Sequence, residues 1–105
     1  MQYQIQENYL TIFLPEDLDH YSADSMKRKA DLLIERNHIK YVIFDFKHTH
    51  FMDSSGIGVI MGRYKLIHLL NGEIWAVHAN ERIKKILTMS GVTKIMQIYE
   101  EEKTV

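Results

Sequence analysis

Residues 41–77, YVIFDFKHTHFMDSSGIGVIMGRYKLIHLLNGEIWAV, decide the fold. Tyr41-Val42-Ile43-Phe44 is a short β-rich run that reaches Asp45 without alternating polar and apolar residues. Such a run suits a strand covered on both faces, which helical crossovers produce in a parallel sheet. Lys47 to Met52 reads as a loop. Beyond Asp53-Ser54-Ser55-Gly56, the residues Ile57, Ile60, Met61, Tyr64, Ile67 and Leu70 recur at helical spacing, and Asn71-Gly72 supplies a C-cap signal. Ile74-Trp75-Ala76-Val77 is the next buried strand. Strand, helix and strand in this order imply parallel pairing through a right-handed crossover.

The flanks extend the pattern. Tyr3 and Ile5, then Leu10, Ile12 and Leu14, alternate at period two around Glu7-Asn8, which predicts two antiparallel strands joined by a tight turn. Pro15 to His20 is polar and acidic and reads as a loop. Ser22 reads as an N-cap with Asp24 in the first turn, opening a helix that buries Ala23, Met26, Ala30, Leu33 and Ile34 and ends near Asn37. Asn80 caps a third helix carrying Ile83, Ile86 and Leu87, and Gly91 stops it. Met96 to Tyr99 is a last strand, followed by the acidic Glu100-Glu101-Glu102. The order is β-β-α-β-α-β-α-β, an α/β domain with a mixed, mostly parallel sheet of four to five strands packed with helices.

The chain has 105 residues, 46% of them apolar, which suits a single domain over residues 1–105. Lys and Arg number 13 against 14 Asp and Glu, for a formal net charge of −1. That balance argues against nucleic-acid binding, which calls for a basic excess or stripe. Cysteine is absent, so disulfide frameworks, thiolate metal sites and thiol nucleophiles are excluded together. The longest glycine-and-apolar run, Gly56 to Gly62, is far short of the ~20 residues of a membrane-spanning helix. The start of the chain lacks the basic and apolar regions of a signal peptide. A cytoplasmic domain is the expectation.

Chemistry concentrates at Asp53-Ser54-Ser55-Gly56, where a loop turns into a helix. Ser54 or Ser55 serves there as an N-cap, or the helix N-terminus holds a phosphate carried by one of them. Asp53 opposes the second reading by like-charge repulsion, so physics permits a phosphoserine without demanding one. Gly56-x-Gly58 matches neither nucleotide-binding spacing. Gly58 and Gly62 share a helical face, which predicts close approach of the backbone to the sheet. Ser54 has Gly56 at plus two, but Met52 at minus two breaks the nucleophile-elbow pattern. His48-x-His50 lacks the further ligands a catalytic zinc needs, so no metal is assigned. Arg82, Lys84 and Lys85 read as a solvated helix face.

The run from Phe51 to Tyr64, with Asp-Ser-Ser-Gly-Ile-Gly at its core and Gly62-Arg63-Tyr64 behind it, closely resembles the signature of STAS-domain anti-sigma factor antagonists. Within that family it is most similar to members that act on the anti-sigma-F factor of sporulation. Leu18-Asp19-His20-Tyr21-Ser22-Ala23 resembles the acidic loop that opens the family's first helix, and Met89-Ser90-Gly91-Val92 resembles the end of its third. The resemblance implies a STAS fold and a partner switch rather than an enzyme. The unphosphorylated protein would bind an anti-sigma factor that is also a serine kinase, and so release a sigma factor. The kinase would use its own bound ATP to phosphorylate the serine after the aspartate, here Ser54. A metal-dependent serine phosphatase would reset the switch. The chain itself would carry no cofactor, no metal and no catalytic residue.

The implied partner surface is Asp19, His20 and Tyr21 with Asp53, Ser54, Ser55, Gly56 and Ile57. Because the strands before the two loops are read as parallel, both loops should emerge at one edge of the sheet. Two departures from the family stand out. Many relatives have Gly-Glu-Leu-Asp where this chain has Glu16-Asp17-Leu18-Asp19, and relatives commonly carry a fourth helix of which Glu100 to Val105 offers at most one turn. Two alternatives remain open: a STAS regulator of a stress-response pathway, and a small-molecule-binding α/β domain using its strand-to-helix loops.

Overall fold

Five strands form the main sheet in the spatial order β1-β2-β4-β6-β7. The computed structural model describes residues 1–99; the acidic run Glu100-Glu101-Glu102 and the helical turn over Glu100–Val105 lie outside the described residues. β1 (Gln2–Gln6) and β2 (Tyr9–Phe13) are the antiparallel pair, and Glu7 takes a left-handed φ of 55° in the turn between them. β2, β4 (Tyr41–Asp45), β6 (Glu73–Val77) and β7 (Gln97–Tyr99) are parallel neighbours. Between them run α1 (His20–Arg36), α2 (Ser54–Leu69) and α3 (Glu81–Ser90), with a short 3-10 turn at Val92–Lys94. The expected α/β order is therefore present, and the sheet has five strands.

The core follows from register. Leu10, Val42 and Ile74 lie side by side across the three central strands, and Ile12, Phe44 and Ala76 form the next row. All six are buried, as are the five α1 residues expected from spacing, Ala23, Met26, Ala30, Leu33 and Ile34. On the other face Tyr9 stacks on Tyr41 with ring centroids 4.6 Å apart, and Trp75 packs against both. Asn80 caps α3 by accepting the Ile83 N–H, and Gly91 ends it at φ 87°, as expected. Asn71 takes the left-handed turn after α2 at φ 61°.

Several sequence expectations are corrected. The two segments read as loops each contain a two-residue strand, β3 (Asp17–Leu18) and β5 (Phe51–Met52), which pair in parallel as a separate small sheet. Two-residue strands carry too little periodicity to register in a hydrophobic pattern. Asp19, not Ser22, is the N-cap of α1; Ser22 is the third helical residue, which puts Asp24 beyond the first turn. α2 buries Gly56, Val59, Ile60, Arg63 and Ile67, so its inward face is rotated from the expected stripe and Leu70 is exposed. Gly58 and Gly62 make no close approach. A β-carbon on Gly62 would meet nothing within 4 Å, and one on Gly58 only Lys27 Nζ at 3.8 Å.

Candidate functional site

The site grows from the ends of β2 and β4. Because these strands are parallel neighbours, the segments that leave them emerge together, and Leu14 N–H donates to the Asp45 carbonyl at 3.0 Å where they part. The segments then stay joined. The Glu16 carbonyl accepts the N–H groups of His50 and Phe51, and the Asp53 N–H donates to the Leu18 carbonyl at 3.3 Å. Thr49, fully buried, donates its Oγ1 to the Pro15 carbonyl at 2.9 Å. Asn80, at the head of α3, donates its Nδ2 to the Thr49 carbonyl at 3.4 Å. The pairing of Asp17 with Phe51 and of Leu18 with Met52 thus holds α1 and α2 with their N-termini side by side.

Each helix starts in the same way, with a buried apolar residue followed by a capping aspartate. After Leu18, Asp19 Oδ1 accepts the N–H groups of Tyr21 at 3.0 Å and Ser22 at 3.2 Å, while Ser22 Oγ accepts the Asp19 N–H at 3.1 Å. This reciprocal box satisfies donors that the helix itself leaves free. After Met52, Asp53 Oδ1 accepts the Ser55 N–H at 2.8 Å. The cap of α2 is therefore Asp53, not either serine. An extended N-cap residue with a short acceptor suits aspartate well, and it leaves the Ser54 hydroxyl uncommitted. Ser54 is the first residue of α2 and is exposed.

The remaining residues named from sequence divide by burial. His20 and Tyr21 are exposed, Tyr21 at 92%, and their rings lie edge to face at 6.3 Å. Asp19, Asp53, Ser55 and Ile57 are half-buried, with Ile57 packed against the core. Gly56 is buried, because Met52 and Leu18 occupy the space its side chain would need. It shapes the floor of the site rather than its surface. The structure thus brings both loops to one end of the molecule and turns His20, Tyr21 and Ser54 outward.

Two features were missed from sequence. Phe51 lies 47% exposed in β5, two residues before Asp53, and adds an apolar ring beside the helix starts. The repeated signal, an apolar residue directly before a helix-capping aspartate at Leu18-Asp19 and Met52-Asp53, could have suggested the pairing. Arg63 faces α1, with Nε 2.9 Å from Asp31 Oδ1 and Nη2 3.5 Å from Oδ2. Burial pushes the Arg63 guanidinium below its ordinary value, and the Asp31 charge pulls it back. Nothing in the period of the sequence distinguishes this arginine from a solvated one.

Among the described residues no group of three or more His, Cys, Asp and Glu side chains converges as a metal site, and no helix is long and apolar enough to cross a membrane. A cavity of about 610 Å³ opens beside α1, lined by Pro15, Ser22, Ser25, Lys29 and His48 among others, but none of its walls comes from residues 53–57.

The STAS domain family matches the chain over residues 1–105. An anti-sigma F factor antagonist of Paenibacillus polymyxa is 41% identical over 93 residues, 89% of this chain and 80% of that relative. The solved structure of the anti-sigma factor antagonist SpoIIAA in its unphosphorylated form is similar with a TM-score of 0.85 at 25% identity, over 95% of this chain and 88% of that one. The Bacillus cell fate determinant SpoIIAA in its phosphorylated form gives a TM-score of 0.77 at 25% identity, over 95% and 91% of the two chains.

Proposed function

The chain belongs to the STAS domain family, and on that premise we propose that it is an anti-sigma factor antagonist switched by phosphorylation of Ser54. Unphosphorylated, it binds an anti-sigma factor that is also a serine kinase and so frees a sigma factor. The kinase then transfers phosphate from its own ATP to Ser54, and the modified protein lets go. A metal-dependent serine phosphatase restores the binding form. The protein works in the cytoplasm as a regulator, binds neither membrane nor nucleic acid, and carries out no catalysis of its own. The likeness to an anti-sigma F factor antagonist favours the sporulation pathway over a stress-response pathway.

The single observation that carries this reading is the state of Ser54. Its hydroxyl stands exposed at the first position of α2, with the capping duty already met by Asp53. A kinase can therefore take this oxygen without undoing a helix cap. The docking surface is Asp19, His20 and Tyr21 from one loop and Asp53, Ser54, Ser55 and Ile57 from the other, floored by Gly56. Exposed Tyr21 supplies apolar contact, and the carboxylates select a basic partner surface.

The test is incubation of wild type, Ser54→Ala and Ser55→Ala with the cognate kinase and ATP, read by intact mass and peptide mapping. One phosphate on wild type and on Ser55→Ala, and none on Ser54→Ala, is the expected result. A phosphate mapped to Ser55 would overturn the assignment.

A further inference from the structure

Among the described residues β1 and β7 are the edge strands of the main sheet. β1 has five residues, Gln2-Tyr3-Gln4-Ile5-Gln6, with no charge and no proline among them. Among the described residues its only sheet partner is β2. Among the described residues, then, nothing on this strand guards it against addition of another strand.

Its polar groups are also arranged to receive one particular partner. The two-residue turn at Glu7-Asn8 closes on the Gln6–Tyr9 pair. In an antiparallel ladder the hydrogen-bonded positions alternate, so Gln2, Gln4 and Gln6 direct their N–H and C=O groups toward β2. Those of Tyr3 and Ile5 point outward. The segment is nearly palindromic about Gln4. A second β1 laid antiparallel with Gln4 opposite Gln4 sets Tyr3 against Ile5 twice, and these are the positions whose backbone groups face out. All four outward groups on each strand then pair. The same register sets Gln2 against Gln6 and puts each apolar side chain beside an apolar one, with no like charges opposed.

We propose that the free edge of β1 is a self-association surface, and that two copies of this chain pair through it about a two-fold axis at Gln4. This is an isologous contact, closed at two copies. A five-residue ribbon is small for a protein interface, so association is weak and rises with concentration. Antiparallel pairing turns the two Ser54 ends in opposite directions, so the dimer leaves both of them accessible.

The experiment is sedimentation velocity of the whole chain over a wide concentration range, with Gln4→Glu, Gln4→Lys and Tyr3→Pro. Gln4 is exposed, so changing its charge spares the monomer. Wild type should shift toward dimer as concentration rises. Gln4→Glu and Gln4→Lys alone should each weaken association several-fold, because like charges then meet at the axis, and an equimolar mixture of the two should restore it. Tyr3→Pro removes an outward N–H that β2 does not use, and should abolish dimer while the circular dichroism spectrum is kept. Wild type that stays monomeric throughout would overturn the proposal. So would a dimer indifferent to all three variants, which would place the contact elsewhere, for example at the exposed Leu69 and Leu70.

Discussion

Three glycines on α2 should respond to alanine in opposite directions, and the difference tests how the Ser54 end is packed. A β-carbon on Gly56 would be driven into Met52 Cγ and would stand 3.0 Å from Leu18 Cδ2 and Cγ. Met52 Cγ and Leu18 Cγ lie within side chains that are 3% and 0% exposed, and both residues belong to the two strands that hold α1 and α2 together. Alanine is intrinsically better than glycine inside a helix by about 0.8–1 kcal/mol. Overpacking a filled core opposes this by about 1–3 kcal/mol. Gly56→Ala should therefore be destabilising, by up to about 2 kcal/mol net of the helix gain. Gly62→Ala meets no obstacle and should stabilise by the full propensity difference, with Gly58→Ala close behind.

In a domain of this size 1 kcal/mol moves the melting midpoint by roughly 4 °C or more. Urea and thermal unfolding followed by circular dichroism should thus rank Gly62→Ala above wild type and Gly56→Ala below it. Displacing Met52 or Leu18 also shifts Ser54 relative to Asp19, so phosphorylation by the cognate kinase should slow in Gly56→Ala and not in Gly62→Ala. If Gly56→Ala raised the midpoint as much as Gly62→Ala does, the floor of the site would not be packed as described.

Three further outcomes are expected. Asp31→Asn should destabilise by about 2–3 kcal/mol because it strands a buried guanidinium, whereas Arg63→Met should cost about 1 kcal/mol or less because half-exposed Asp31 can return to water; urea midpoints of the two variants give the comparison. Asp19→Ala should lose about 1 kcal/mol with its cap, while Asp19→Asn keeps an acceptor and should unfold like wild type. Slower association of Asp19→Asn with the kinase, unmatched by any stability loss, would then assign the effect to charge. Gly91→Ala forces a side chain to φ 87° and should cost about 1–2 kcal/mol in the same unfolding assay.

The long elements were legible because their periods are unambiguous. Leu10 and Ile12 at period two, and Ala23 to Ile34 at helical spacing, each leave one arrangement that buries them all. The Ser54 end was legible as a place but not as a geometry. The pattern points to Ser22 as one cap and leaves a serine of α2 as one of two readings, since serine and aspartate are near-equal N-caps and sequence gives no φ to choose between Ser22 and Asp19. The face of α2 was misjudged because its sequence is apolar almost all round, so the stripe pointed in no one direction; burial of Arg63 depended on Asp31, distant in sequence. The close approach expected of Gly58 and Gly62 belongs to Gly56, whose need arises from Met52 and from Leu18, a residue on the other loop.

The bonding at the Ser54 end bears on how the proposed switch would work. Both helix starts are capped by aspartate and paired through β3 and β5, and the loops leading to them are joined by the Thr49–Pro15 hydrogen bond. With both caps made and both loops paired, a phosphate on Ser54 would find no open helix start to order. Phosphorylation adds roughly −1.5 to −2 charges beside Asp53. The α2 N-terminus returns only about 0.3–1 kcal/mol at an exposed position, and Asp53 repels the new charge, so the two effects largely cancel within the monomer. In the proposed switch the loss of binding would then arise between the molecules. Taking a complex from almost full to almost empty requires about 5.5 kcal/mol of differential affinity. A dianion desolvated in a contact built around serine can supply several kcal/mol of that. Ser54→Asp should accordingly melt within a few degrees of wild type yet bind the kinase far more weakly, as read by calorimetric titration alongside thermal unfolding. If Ser54→Asp bound poorly only because it was unfolded, or bound as tightly as wild type, a switch based on charge at this surface would be wrong.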